Sequence, residues 1–273
     1  MPGKVTVPSI RARKVNRGSE PIVMLTAYDT PGASIADAAG VDMILVGDSV
    51  ANTVLGHADT LQVDTEVIAH HVAAVHRAAP NALVVGDMPW MSYHLTPQDT
   101  VRNGATLIRA GAGAVKLEGG RVRLPMVEAL VAAEIPVMGH LGLTPQSVHA
   151  MGGYKVQAKD DLAAEALRYD AKALAAAGCF AIVLEGVPDV VAARVTEQVD
   201  VPTIGIGAGA GCDGQVLVFH DLLGLGERKP AKFVRQYADL RAVAIEAVAA
   251  WAGDVRSGAF PSAAETYHLP SAT

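Results

Sequence analysis

Seven polar side chains stand where chemistry would need them. Val46-Gly47-Asp48-Ser49, Val85-Gly86-Asp87, Lys116-Leu117-Glu118, Gly139-His140 and Leu184-Glu185 each set an ionisable residue at the end of a short apolar run. Side chains alternate along a strand with period two, so Ile44, Val46 and Asp48 share one face, as do Val85 with Asp87, Lys116 with Glu118, and Val183 with Glu185. If the runs are neighbouring strands, these groups all point towards one axis. Carboxylates buried together raise one another's pKa or exclude ionisation, and Lys116 alone does not offset them. A divalent cation would. Three oxygen donors without a thiolate suit a hard ion such as Mg²⁺, which keeps its remaining positions for water or substrate. A single aspartate at a strand end is more often paired with a helix N-terminus or an arginine. Five successive strand ends of this kind point instead to a catalytic mouth.

The elements that would position these residues follow from periodicity. From Pro21 onward, short β-branched runs alternate with longer Ala-rich stretches of helical period, the pattern of repeated βα units around a parallel sheet. Eight runs are expected as strands: Ile22–Tyr28, Met43–Gly47, Ala82–Asp87, Ala114–Glu118, Pro136–His140, Ala181–Glu185, Pro202–Gly207 and Gln215–His220. The last two are separated by a Gly-rich turn too short for a helix. Thr96-Pro97-Gln98-Asp99 reads as a helix start, and Gly40, Gly111 and Gly178 as helix stops. Eight alternating units with no polar linker predict a single (β/α)8 TIM barrel spanning residues 1–273, with a doubly wound open sheet as the competing architecture. Residues 1–20 are expected as an N-terminal helical extension covering the bottom of the barrel. Val7, Ile10 and Val15 would face the barrel there, and Arg11, Arg13, Lys14 and Arg17 would face solvent. A helix from Lys232 to Val255 should close the eighth unit, leaving 261–273 as a C-terminal tail.

Composition narrows the function classes. Of the 273 residues, 51% are hydrophobic and 18% charged, enough apolar material for a large core. With 22 basic and 28 acidic residues the formal net charge is −6, which lacks the basic footprint of a nucleic-acid binder and favours small-molecule partners. Cys179 and Cys212 are too isolated for a disulfide framework or a thiolate metal site. No signal peptide or membrane-spanning run is evident, so a soluble cytoplasmic protein without a membrane partner is expected.

Other features read plainly. Gly209 to Gly214 satisfies G-x-G-x-x-G, but the dinucleotide fingerprint requires a following helix and here a strand follows. His70, His71 and His76 miss the i, i+4 spacing of helical metal ligands and are expected as solvated helix residues. Cys179 is expected as a small buried apolar residue.

Longer segments carry a resemblance over nearly the full length. Leu25-Thr26-Ala27-Tyr28-Asp29, Val46 to Ser49, Val115 to Gly120, Gly139 to Val148, Gly152-Gly153-Tyr154-Lys155-Val156-Gln157, Ile204 to Gly209 and Asp213 to Val218 together resemble the ketopantoate hydroxymethyltransferase family. The resemblance implies transfer of a hydroxymethyl group from 5,10-methylenetetrahydrofolate to 3-methyl-2-oxobutanoate, giving 2-dehydropantoate for pantothenate synthesis. It further implies Mg²⁺ held by Asp48, Asp87 and Glu118, with Glu118 acting through water. Contacts to the 2-oxo acid fall to Asp48, Ser49, Asp87 and Lys116, proton abstraction to Glu185, and a site position to His140. A homo-oligomer, a decamer in many members, is implied as well. Two departures stand out: Ala158-Lys159 replaces an expected Gly-Arg, and the tail reads Glu265-Thr266-Tyr267-His268-Leu269 in place of a Glu-His-Ser-Phe pattern. The alternatives are a lyase or mutase like isocitrate lyase or phosphoenolpyruvate mutase, a Schiff-base enzyme using Lys116, and a non-catalytic ligand-binding barrel. The Lys-Lys-Cys-Gly-His segment frequent in that lyase group is absent.

Overall fold

In the computed structural model, residues 3–227 and 229–269 are described; the first two residues of the N-terminal extension and the last four of the tail lie outside them. Eight parallel strands close in chain order: β1 Ile22–Thr26, β2 Met43–Val46, β3 Leu83–Asp87, β4 Ala114–Glu118, β5 Val137–Gly142, β6 Ala181–Glu185, β7 Thr203–Ile206 and β8 Gly214–Leu217. β8 returns to β1 with Met24 beside Val216, so no edge is left open. The open-sheet alternative is excluded.

Helices follow most strands: α2 Thr30–Ala38, α3 Thr65–Ala78, α4 Pro97–Arg109, α5 Leu124–Ala132, α6 Asp161–Ala176 and α7 Asp189–Gln198, after an N-terminal α1 of Val7–Arg11. Five of them begin at a side-chain cap that satisfies one of the free N–H groups of the first turn: Thr6, Asp29, Asp64, Thr96 and Asp160. Gly40, Gly111 and Gly178 each follow a helix end by two residues. Residues 207–213 join β7 to β8 without a helix, as the Gly-rich run implies.

The barrel interior is filled by Ile22, Met24, Met43, Leu45, Leu83, Val85, Ala114, Met138, Val183, Ile204 and Val216, joined by Ile10 of α1. Met43 and Leu45 point inwards, so Ile44 and Val46 face the helices, and strand alternation does not carry Asp48 into the mouth. β2 ends at Val46, and the turn that follows brings Asp48 there instead.

The N-terminal extension is less helical and less solvated than expected. α1 spans five residues, followed by a single 3₁₀ turn at Val15–Arg17. Lys14 is buried, its Nζ donating to Asp213 Oδ2 at 2.7 Å, Thr196 O at 2.8 Å and Val201 O at 3.2 Å. His71 also departs from a solvated position: its Nδ1 lies 2.6 Å from Tyr28 O. Cys179 is fully buried, which pushes its thiol up to about 12.

Two compact units emerge, residues 3–219 with 231–234, and residues 220–230 with 235–269 apart from 228. The second holds α8, Leu240–Ser257, capped by Asp239, whose side chain accepts from Ala242 N. α8 thus starts eight residues later than Lys232. Within that unit Tyr237 N–H donates to Leu222 O and Arg241 N–H to Gly224 O, so the preceding segment spends its backbone bonds on a non-helical path. Among the described residues no helix is long and apolar enough to cross a membrane.

Candidate active site

The C-terminal ends of β2 to β6 bring six of the expected residues into one hydrogen-bonded and ion-paired group. Asp87 ends β3, Lys116 and Glu118 lie on β4, His140 on β5 and Glu185 ends β6. In register, Asp87 neighbours Lys116, and Glu118 neighbours His140. Asp48 N–H donates to Asp87 Oδ2 at 3.0 Å, which ties the turn after β2 to β3. Lys116 Nζ stands 2.8 Å from Asp87 Oδ1, 3.9 Å from Glu118 Oε1 and 3.4 Å from His140 Nδ1. His140 bridges onwards, with Nδ1 3.3 Å from Glu118 Oε1 and Nε2 3.2 Å from Glu185 Oε2. Ser49 lies beside this group, its Oγ 2.7 Å from the hydroxyl of Tyr28.

Glu185 is held by backbone packing. Gly142, opposite it on β5, has φ 94°, and a Cβ there would fall 2.2 Å from Glu185 O. Only glycine accepts both that conformation and that approach. The next residue, Leu143, donates its N–H to the same carbonyl at 2.8 Å.

Charge is unbalanced in this space. Asp48, Asp87, Lys116, Glu118 and His140 are all buried, and Glu185 is largely so. Burial, then Asp87 and Glu118, drive the Asp48 carboxyl well above its usual pKa. Asp87 is also raised, by burial against the opposing pull of Lys116. Burial alone would raise Glu118, but His140, Lys116 and the Gln146 N–H outweigh it and lower that group. Burial would likewise lower Lys116 and His140. The surrounding carboxylates reverse both, holding Lys116 above its ordinary range and His140 at about 9. Asp87 Oδ1, Glu118 Oε1 and His140 Nε2 remain buried without an aligned hydrogen-bond partner. Such groups are costly unless something else completes them.

That donor set fits a hard dication. Among the described residues no three His, Cys, Asp or Glu side chains already surround one point at ligating positions. Mg²⁺ does not require it, because it is commonly held by one or two carboxylates with water and substrate oxygens completing the octahedron. Excess buried carboxylate, oxygens with hydrogen-bonding capacity left over and the absence of thiolate all favour such an ion over none.

Two further buried residues belong to this group. Gln146, after β5, and Tyr93, between β3 and α4, bond to one another and to Asp48 and Glu118. Gln146 falls inside the Gly139 to Val148 segment, which was its only signal. Tyr93 sits in a loop with no periodicity to mark it.

A family model for ketopantoate hydroxymethyltransferase matches residues 4–263. The chain belongs to that family. It is 54% identical over 267 residues to the 3-methyl-2-oxobutanoate hydroxymethyltransferase of Oleidesulfovibrio alaskensis, covering 97% of this chain and 91% of the relative. Against the protein of the same name from Ignicoccus hospitalis it is 55% identical over 258 residues, covering 94% and 97%. Among solved structures, 2,3-dimethylmalate lyase, a phosphoenolpyruvate mutase/isocitrate lyase superfamily member, superposes with a TM-score of 0.60 at 18% identity, covering 98% and 93%. A phosphonopyruvate hydrolase crystallised with oxalate and Mg²⁺ gives 0.60 at 15% identity, covering 95% and 92%. At that identity these two show the barrel fold and nothing about this family member's chemistry.

Of the departures from the family pattern, Ala158 has a structural consequence. It takes φ 53°, a left-handed conformation that glycine adopts freely and alanine does not. Of the tail, Ser262 to Glu265 forms a capped 3₁₀ turn.

Proposed function

We propose that this chain transfers a hydroxymethyl group from 5,10-methylenetetrahydrofolate to 3-methyl-2-oxobutanoate, forming 2-dehydropantoate for pantothenate synthesis. The observation that carries it is the gathering of buried carboxylates around one lysine at the barrel mouth, in a chain more than half identical to transferases named for that substrate.

Asp48 and Asp87 would hold Mg²⁺, with Glu118 reaching it through water. When bound, the ion supplies Lewis-acid polarisation of the keto group and offsets the charge of the enolate. Lys116, kept protonated by its neighbours, adds a second positive charge for the same oxygen. Ser49, whose hydroxyl is held by that of Tyr28, orients the substrate carboxylate. Glu185 takes the C3 proton, and the C–H electron pair moves into the C2–C3 bond as charge passes to the keto oxygen. His140 lies between Glu185 and Glu118 and holds the base in place. C3 then bonds to the methylene carbon. Both C–N bonds of that carbon to the folate break, a water-derived hydroxyl takes the second place on it, and the C3 proton with the other water proton ends on the two folate nitrogens as tetrahydrofolate departs. Lys116 serves as a cation here rather than as a Schiff-base nucleophile, since its contacts to the buried carboxylates of Asp87 and Glu118 favour the protonated amine.

Self-association fits this reading too. α8 carries Val243, Ile245, Val248, Trp251 and Val255 exposed, a cluster of large apolar side chains of the kind that marks interaction surfaces.

The test is turnover with 3-methyl-2-oxobutanoate, methylenetetrahydrofolate and Mg²⁺, each omitted in turn. Product is expected only with all three, and product formation in the presence of a strong chelator would contradict the metal assignment.

A further inference from the structure

The buried bonds around Gln146 form a closed circuit. Tyr93 Oη accepts from the backbone N–H of Glu118 at 3.3 Å, so its own proton is free to donate to Gln146 Oε1, 2.6 Å away. That bond selects one of the two orientations of the amide. Gln146 Nε2 is thereby aimed at Asp48 Oδ2, 3.0 Å away, and Met88 O, 3.1 Å away, which uses both of its protons. The backbone N–H of Gln146 donates to Glu118 Oε2 at 3.1 Å and closes the circuit. Tyr93 and Gln146 are both buried, so rotation of the amide would set its oxygen against the Asp48 carboxylate at the low dielectric of the interior.

We propose that Tyr93 and Gln146 act as one positioning pair that fixes Asp48 and Glu118 from behind, engaging Asp48 Oδ2 and Glu118 Oε2 so that the other oxygen of each carboxylate serves the dication and the 2-oxo acid. The proposal rests on the reading of the mouth as a dication site. Glu118 Oε1, the oxygen this arrangement leaves over, is one of the buried atoms without an aligned partner. Neither residue touches the reacting atoms. Their contribution is to set ligand geometry in advance, as partners behind metal ligands do elsewhere, where their loss lowers metal affinity by about 10–100-fold. The two must also act together, because the tyrosine affects Asp48 only through the amide.

The experiment uses the full chain freed of metal by chelator and titrated calorimetrically with Mn²⁺ in the absence of substrates. Tyr93→Phe and Gln146→Met each keep the side-chain volume and remove the side-chain hydrogen bonds, while the Gln146 backbone N–H to Glu118 remains. Each is expected to weaken Mn²⁺ binding by about tenfold or more. The double variant should be little weaker than Gln146→Met alone, since Tyr93 reaches Asp48 only through the amide. Melting of the metal-free variants checks folding, and if Gln146→Met does not fold, Tyr93→Phe carries the test. Wild-type affinity in Tyr93→Phe, or losses that multiply in the double variant, would overturn the pairing, as would a wild-type chain that takes up no Mn²⁺. A wild-type chain that binds Mn²⁺ but makes no product overturns the proposed function instead, and the comparison of affinities still decides the pairing.

Discussion

The barrel buries a lysine–aspartate pair at each end, and the two are built to opposite ends. At the bottom, Lys14 spends its three protons on Asp213, Thr196 O and Val201 O, while Asp213 accepts from Val15 N–H and Thr203 N–H as well. Each charge there is matched and both carboxylate oxygens of Asp213 accept from donors, which is what a buried ion pair needs in order to hold a fold together. At the mouth, Lys116 meets Asp87 at nearly the same distance, but Asp48, Glu118 and Glu185 crowd the same space and three buried atoms lack an aligned partner. The difference separates a finished pair from an unfinished one. Perturbed carboxyls with unspent hydrogen-bonding capacity mark a place kept for a ligand.

Substitutions at the two ends should therefore move stability in opposite directions. Lys14→Met leaves Asp213 buried without its counter-charge, and unfolding by denaturant is expected to show a loss of about 3–5 kcal/mol, with the turnover of the folded protein unchanged. Asp48→Asn removes one carboxylate from an over-acidic cluster. The melting temperature of the chelator-treated protein is expected to rise while turnover falls at least about a hundredfold. If both substitutions lowered stability alike, the contrast between the two ends would fail.

A smaller effect is expected at the rim of the mouth. Ala158→Gly should stabilise the chain by about 1 kcal/mol, because the left-handed backbone there suits glycine better than alanine. Unchanged or lowered stability would mean that the buried Ala158 methyl contributes more by packing than its backbone costs.

Much of the barrel was legible because parallel strands buried on both faces appear as short apolar runs, and the ends of β3 to β6 announced Asp87, Lys116, Glu118, His140 and Glu185 directly. Asp48 belonged to the same set for a different reason from the one alternation offered. Period two holds only inside a strand, and β2 ends two residues earlier, so the turn decides where that side chain goes. Tyr93 and Gln146 come from loops, whose positions follow from tertiary hydrogen bonds that no local period reveals. The burial of Lys14 has no local signal, because a lysine among arginines looks solvated and its partner Asp213 lies 199 residues away. The late start of α8 has a similar cause. Residues before Asp239 have helical composition, but Tyr237 and Arg241 give their N–H groups to Leu222 and Gly224.

The claim on which the rest depends is that Glu185 removes the C3 proton of a 2-oxo acid held over the acidic mouth. Exchange of that proton in deuterated water, followed by proton NMR with 3-methyl-2-oxobutanoate and Mg²⁺ but no folate, measures this step alone. The wild-type chain is expected to exchange it, and Glu185→Gln to bind the oxo acid without exchange. Exchange at the wild-type rate in Glu185→Gln would contradict the account.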